Sequence, residues 1–95
     1  MQFTYNNKPV MPTKTAMDEL SNNDLDLYDV IEILEKGLPI RKRKQNIIEK
    51  AIKKGNKVIN VVVVNMGNYY KLIHVGKFTL TKKFKELLRR QKKCP

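Results

Sequence analysis

The stretch VINVVVVN, residues 58–65, carries five valines and one isoleucine among its eight residues. β-Branched side chains of this kind favour strands. Apolar residues fall at odd and even positions alike, so both faces of the strand should be buried at least in part. The stretch therefore predicts a central strand of a sheet.

The next two segments predict that this strand continues into a β-hairpin. NMGN at residues 65–68 has turn composition, and YYKLIHV at residues 69–75 is typical of a returning strand. Strict alternation puts Tyr70 and His74 on one face of that strand, and Lys71 and Val75 on the other.

An apolar stripe at helical spacing lies upstream, formed by Leu27, Val30, Ile31 and Leu34. It predicts a helix over residues 24–36. Ser21 and Asp24 resemble a capping box at its start. Gly37 is placed to end it in a left-handed conformation, and Pro39 prevents its continuation.

The segments around these elements complete an α+β pattern. Ile47, Ile48, Ala51 and Ile52 fit a short helix ended by Gly55, with a strand as the alternative. Residues 1–5 predict a short strand, residues 6–12 a loop, and residues 13–20 one or two helical turns capped by Thr13 or Thr15. A last helix should begin at Thr79 or Thr81 and fray over residues 90–95. We predict one domain over residues 1–95, with a small antiparallel sheet packed with helices.

Charge is divided unevenly along the chain. Residues 1–40 hold three basic and seven acidic residues, a net charge of −4, whereas residues 41–95 hold seventeen basic and two acidic residues, a net charge of +15. Such a division favours binding of a polyanion, RNA above all. Heat-adapted solvation is the alternative, but it would bring more acids among the bases.

Cysteine count and hydropathy indicate the compartment. The single cysteine, Cys94, cannot form an internal disulfide, and the longest apolar run has four residues, at 61–64. No N-terminal apolar run follows a basic start. We expect a cytoplasmic protein that neither spans nor binds a membrane.

Few residues offer chemistry. His74 is the only histidine, so no histidine cluster is available, and we expect no metal and no cofactor. An imidazole can move a proton near neutral pH, and a neighbouring tyrosine can stack on an unpaired base, which makes His74 and Tyr70 the catalytic candidates. The alternative is a histidine held against the core.

Two basic segments are candidates for phosphate contacts. The run RKRK consists of Arg41, Lys42, Arg43 and Lys44. Guanidinium groups match phosphate oxygens in two-point contacts, while lysine acts as a mobile charge. A solvated connector is the alternative reading of this run. Arg89 and Arg90 in the last helix belong to a second candidate segment.

A resemblance rests on RKRKQNIIEK at residues 41–50, VINVVVVN at 58–65 and YYKLIHVGKF at 69–78, after a helix ending at Gly37. This order resembles archaeal members of a domain family of unknown function related to BrnT toxins. That family is similar to the RelE/ParE-like superfamily of small basic toxins. The resemblance covers residues 24–83.

The resemblance implies helices packed on an antiparallel sheet, a ribosome-dependent or free RNA-cleaving activity, and an acidic antitoxin as partner. Because the sequence offers no metal-ligand cluster, we expect such a ribonuclease to be metal-independent. RelE-type enzymes are held to use basic side chains with a tyrosine or histidine around the scissile phosphate. The positions that match by type are Arg41, Arg43, Tyr70, Lys71, His74 and Lys77. His74 would be the general acid or base, and the basic residues would hold phosphates.

ParE-like members lack RNA cleavage, so the resemblance leaves enzymatic activity open. One alternative is a non-catalytic module that binds DNA or the ribosome. Another is a protein-interaction module that uses the acidic N-terminal third to bind a basic partner.

Overall fold

The computed structural model describes residues 3–39, 44–82 and 85–86 of the chain. Six strands form one sheet in the order β1-β2-β6-β5-β4-β3. The elements are β1 (Thr4–Tyr5), β2 (Lys8–Pro12), α1 (Lys14–Asn22), α2 (Leu27–Lys36), β3 (Leu38–Pro39), β4 (Ile47–Lys54), β5 (Lys57–Asn65) and β6 (Tyr70–Thr79). The predicted α+β class is confirmed. Its sheet is mixed, because β2 runs parallel to β6 while the other pairs are antiparallel.

Strand β5 is the centre of the sheet, as predicted. It lies between β4 and β6, and residues 58–63 are all buried. The turn into β6 is stabilised by Asn65, whose Oδ1 accepts the backbone N–H of Gly67 at 2.9 Å. Gly67 has a φ of 103°, which a glycine adopts without steric cost.

The helix predicted over residues 47–52 is wrong, and the alternative strand is present. β4 pairs antiparallel with β5 along its length, from Ile47 opposite Val64 to Lys54 opposite Lys57. Ile48 and Ile52 pack against the main core. The isoleucines therefore gain more from pairing beside a valine-rich strand than from a short helix, whose local spacing they also fit.

Helix α2 confirms the predicted element and its end at Gly37, but the predicted capping box and the predicted left-handed conformation of Gly37 are wrong. Asp26 and Asp29 form the capping box: each carboxylate accepts the other residue's backbone N–H, at 3.1 and 3.0 Å. Asp24 has a φ of 54° in the turn after α1, so the helix cannot begin there. Gly37 has extended backbone (φ −73°, ψ 166°). It is required because a Cβ would lie 2.8 Å from the carbonyl oxygen of Ala51.

The N-terminal segment is more regular than predicted. Residues 8–12, expected as a loop, form β2, and the pairing of Val10 with Tyr70 places β2 beside β6. Thr13 caps α1 as predicted, since its Oγ1 accepts the N–H of Ala16 at 3.1 Å.

Near the C-terminus, the backbone N–H of Lys85 donates to Thr81 O at 3.1 Å in a helical turn. Phe84, Leu87 and Leu88 of the predicted last helix lie outside the described residues.

The two helices pack on one side of the sheet, which we call the helix-facing side. The core there includes Ala16, Leu20, Val30, Ile33, Leu34, Ile59, Val61, Val63, Tyr70, Leu72 and Val75. Each fully buried aliphatic side chain contributes roughly 1.5–3 kcal/mol. In the described part of the chain, no helix is long and apolar enough to cross a membrane.

The other side of the sheet, which we call the second side, carries the opposite set of side chains. Cross-strand pairing places Val58, Asn60 and Val62 of β5 there, beside Glu49, Ala51 and Lys53 of β4 and His74, Gly76 and Phe78 of β6. Ala51 and Val58 are fully buried and pack with Leu80. This side therefore combines apolar positions with the polar residues of the candidate site.

Candidate functional site

A β-bulge in β6 decides which side His74 occupies. Val62 pairs with His74 and Val63 pairs with Leu72, so Ile73 is an extra residue in the strand. Leu72 and Val75 both reach the helix-facing core as a result. His74 lies between them on the second side, with 48% of its side chain exposed.

The predicted grouping of Tyr70 with His74 is wrong, because the extra residue in the bulge breaks the alternation that placed them on one face. Tyr70 is buried in the core on the helix-facing side. Its hydroxyl accepts a hydrogen bond from Asn6 Nδ2 at 3.2 Å, and Lys8 Nζ lies 5.6 Å from its ring centroid. Lys71, predicted on the opposite face from His74, instead shares the second side with it, since Lys71 pairs with Val64.

Glu19 of α1 holds the bulged segment. Its Oε1 accepts the backbone N–H of Val75 at 2.9 Å, and its Oε2 lies 3.1 Å from Nδ1 of His74. Pairing between β2 and β6 ends at Leu72. The carboxylate therefore takes the place of a neighbouring strand at this edge of β6 and fixes the backbone beside His74.

The carboxylate also decides the tautomer of His74. A carboxylate only accepts hydrogen bonds, so the imidazole nitrogen that faces it is the one that carries the proton. In neutral His74 the proton is therefore on Nδ1, and Nε2 is an acceptor. A carboxylate plays the same orienting part for the histidine of hydrolytic triads.

Asn60 lies beside this imidazole. It is only 8% exposed, and its Nδ2 donates to Oε2 of the buried Glu49 at 3.1 Å. Its amide oxygen lies over Gly76, because a Cβ built on Gly76 would overlap Oδ1 of Asn60 and lie 3.2 Å from Nε2 of His74. A glycine is therefore required at residue 76, because the Asn60 side chain packs where a Cβ would lie.

The same sheet carries exposed basic and aromatic residues. Lys53 and Lys71 are exposed on the second side, as is the ring of Phe78, while Lys44 is exposed before β4 and Lys77 beside the helices. None of these four lysines contacts a carboxylate among the described residues. Other lysines have structural partners: Lys50 Nζ donates to Leu34 O at 2.8 Å, and Lys54 Nζ lies 3.2 Å from Glu32.

The charge division of the sequence becomes a division between layers. Residues 13–36, which contain both helices, hold two lysines and seven acids, a net charge of −5. Residues 44–82, which contain β4, β5 and β6, hold eight lysines and one acid, a net charge of +7. The segment with the helices is therefore net acidic, and the segment with the three strands is net basic.

The predicted site residues have different positions in this arrangement. His74 and Lys71 share the second side, Lys44 is exposed before β4, Lys77 is exposed on the helix-facing side, and Tyr70 is in the core. The remaining candidates, Arg41, Lys42, Arg43, Arg89 and Arg90, lie outside the described residues.

Sequence reasoning missed Glu19, Asn60 and Gly76. Asn60 could have been found, since it is the one polar residue in the apolar run at 58–64, and a buried amide needs partners. Glu19 and Gly76 carry no local signal, because their importance depends on how α1 and β5 pack against β6.

Metal sites and relatives give no further assignment. No group of three or more metal-binding side chains occurs within residues 3–39, 44–82 and 85–86. No protein-family model, curated protein or solved structure matches the chain.

Proposed function

We propose that the protein binds RNA through the basic sheet, with the acidic helices turned away from the phosphate backbone. The observation that carries this proposal is the separation of charge between the two layers, −5 in the helices and +7 in the strands beyond them. Exposed lysines without carboxylate partners can replace the counterions of a phosphate chain, and their release favours binding.

The residues on the second side fit a single strand of RNA. Lys53 and Lys71 supply positive charge, and the exposed ring of Phe78 offers a surface on which an unpaired base can stack. His74 and Gly76 lie on the same strand between Lys71 and Phe78. This interleaving of basic and aromatic residues is typical of single-strand binding surfaces.

Kinship with the BrnT-related and RelE-like toxins is part of the proposal. Two helices packed on a mainly antiparallel sheet agree with the architecture that the resemblance implies. An acidic antitoxin would then bind the same basic surface and block it. Because one fold carries many functions, the argument for RNA rests on charge and site chemistry.

Salt dependence of binding tests this proposal. The affinity for a single-stranded 12-mer RNA should fall with salt with a log–log slope of about −2 to −4, at ~0.7 per phosphate contact for three to five contacts. Fluorescence anisotropy gives this slope when the affinity is measured in about twofold steps of salt concentration between about 50 and 300 mM. No binding at the lowest salt concentration would refute the proposal.

A matched pair of double variants tests where the RNA binds. Lys53→Gln with Lys71→Gln should weaken binding and make the salt slope shallower by about 1.4, whereas Lys14→Gln with Lys36→Gln in the helical layer should change it little. Both variants remove two exposed lysines. Equal losses would show that net charge, and not the sheet surface, drives binding.

A metal-independent ribonuclease is the second candidate, and the contact of Glu19 with His74 favours it. Nε2 of His74 would take the proton of a ribose 2′-hydroxyl while the 2′-oxygen attacks the adjacent phosphorus. The bond from phosphorus to the 5′-oxygen breaks, and that oxygen takes a proton from water. The products are a 2′,3′-cyclic phosphate and a 5′-hydroxyl. Lys71 would stabilise the charge that develops on the phosphoryl oxygens.

A further inference from the structure

An open groove lies between the edge strand β1 and helix α2. Its volume is about 530 Å³. One wall comes from the N-terminal segment and the other from successive turns of α2. Its lining includes Phe3, Thr4, Tyr28, Ile31, Glu32 and Glu35. The walls thus combine apolar, backbone and acidic groups, and each of them restricts what the groove can bind.

The apolar part of the groove is mainly aromatic. The rings of Phe3 and Tyr28 meet edge to face, with centroids 4.8 Å apart and an interplanar angle of 80°. Ile31 lies beside them and packs against the main core. Tyr28 nevertheless remains 57% exposed. A ring that is held by a neighbour and still more than half exposed can receive a cation, because the face of an aromatic ring carries partial negative charge.

The part of the groove formed by α2 is acidic. Asp29, Glu32 and Glu35 follow one another at intervals of three residues, so they are neighbours on the helix surface. Lys54 Nζ pairs with Glu32 at 3.2 Å and lies 4.0 Å from Asp29. Glu35 is exposed, and none of the described basic residues, Lys36 included, forms an ion pair with it. A cation can therefore pair with Glu35 without displacing an existing partner.

The groove also has an open strand edge. β1 is the first strand of the sheet, and Phe3 O accepts the backbone N–H of Val10 at 2.8 Å. Because alternate residues of an antiparallel pair bond to the partner strand, the N–H and C=O of Thr4 point away from β2. The main chain of an extended peptide can add to such an edge.

These features favour a basic, extended segment as the occupant. A phosphate chain would be repelled by the carboxylates, and an apolar helix would bury them without partners. Residues 13–36, which contain both helices, have a net charge of −5, which attracts a basic segment. From Tyr28 to Glu35 the helix rises about 10 Å, a distance that about three residues of an extended strand cover. Alternate side chains of that strand point to the same side.

We infer that the groove between β1 and α2 binds an extended basic segment of another protein. One arginine or lysine lies against the ring of Tyr28, and the next residue but one pairs with Glu35. The main chain of the segment bonds to the edge of β1. This inference goes beyond the proposed RNA binding and does not depend on it, because the groove is separate from Lys53, Lys71 and Phe78 of the second side.

The test uses a peptide of four alternating arginine–threonine pairs and a matched peptide in which citrulline, which lacks the charge, replaces each arginine. The salt concentration is about 50 mM, so that exposed charges are only partly screened. In nitrogen-15 NMR titrations the arginine peptide should shift the amide signals of Phe3, Thr4, Tyr28 and Glu35. The citrulline peptide should bind about 4- to 25-fold more weakly, since each of two charged contacts contributes about 2- to 5-fold.

Two variants and a matched control locate the contacts. Glu35→Lys should weaken binding of the arginine peptide about 3- to 10-fold, because an attraction becomes a repulsion. Tyr28→Leu keeps an apolar side chain beside Phe3 and should weaken binding about 2- to 5-fold. Asp18→Lys changes the net charge as Glu35→Lys does, but Asp18 is exposed on α1 and does not line the groove, so its effect should stay below about twofold. If Tyr28→Leu lowers the melting temperature too far, Glu35→Lys decides.

Several outcomes would overturn this inference. Equal affinities for the arginine and citrulline peptides, groove signals that do not move, or equal losses in Glu35→Lys and Asp18→Lys would each do so. Groove signals that shift when the protein alone is diluted would also do so, because the occupant would then be a second copy of the chain. None of these results bears on RNA binding, and a failure to bind RNA would leave the groove inference in place.

Discussion

Removing the carboxylate of Glu19 should both destabilise the fold and release His74. In Glu19→Ala the backbone N–H of Val75, which donates to Oε1 at 2.9 Å, loses its partner at a buried residue. An unmet buried donor costs about 1–3 kcal/mol. The contact with His74 adds little, because its side chain is about half exposed. We therefore expect Glu19→Ala to lower the free energy of unfolding by about 1–3 kcal/mol.

Glu19→Gln separates the two parts of this effect. The amide oxygen can still accept the N–H of Val75, so the stability should stay within about 1 kcal/mol of wild type. The amide nitrogen would then face Nδ1 of His74 as a donor. Nδ1 must become the acceptor, and the proton moves to Nε2. The variant thus keeps the fold and reverses the hydrogen-bonding character of the nitrogen in the site.

Two measurements check this reasoning. Urea unfolding followed by circular dichroism gives the free energy of unfolding. In a thermal scan, a loss of 1 kcal/mol lowers Tm by about 4–8 °C for a domain of this size. Nitrogen-15 chemical shifts of His74 report which ring nitrogen carries the proton. Glu19→Ala with wild-type stability would show that the bond to Val75 contributes nothing. An unchanged tautomer in Glu19→Gln would refute the assignment of Nε2 as an acceptor.

Three further outcomes follow from other contacts. If the protein cleaves RNA, His74→Gln should lower the cleavage rate by about 10²–10⁴-fold with little change in RNA affinity, and cleavage by the wild type should persist in EDTA; a wild-type rate in the variant would exclude His74 as the acid or base. Gly37→Ala should cost about 1–3 kcal/mol or more in urea unfolding, because its Cβ would press on backbone carbonyls of α2 and β4. Lys50→Met should cost about 1–2 kcal/mol through the lost bond to Leu34 O, whereas Lys53→Met should be nearly neutral, and equal stabilities would contradict the structural role of Lys50.

The sequence predicted the fold correctly in segments whose composition favours only one kind of secondary structure. The valines of residues 58–64 favour a strand and can bury both of its faces, and β5 is central. The stripe from Leu27 to Leu34 has only one structure that buries it on a single face, and α2 forms there. In both segments local preference and tertiary packing agree.

Prediction failed where a distant contact chose between two local options. Ile47, Ile48, Ala51 and Ile52 suit either a helical turn or a strand, and only pairing with β5 decides between them. The bulge at Ile73 likewise depends on how β6 pairs with β5 and packs on α1. Strict alternation therefore grouped His74 with Tyr70, and the partner on α1, Glu19, could not be recognised from spacing.

The parallel pairing of β2 with β6 has a consequence for the order in which the protein folds. Strands β4, β5 and β6 are joined by short turns and can assemble from neighbouring segments, whereas Val10 must wait for Tyr70 to be synthesised before it can pair. Contacts between distant segments form slowly because a long loop must close first. Helix α1 follows β2 directly and brings Glu19 with it. We therefore expect the contact between Glu19 and His74 to form late in folding, after the basic strands β4, β5 and β6 have paired.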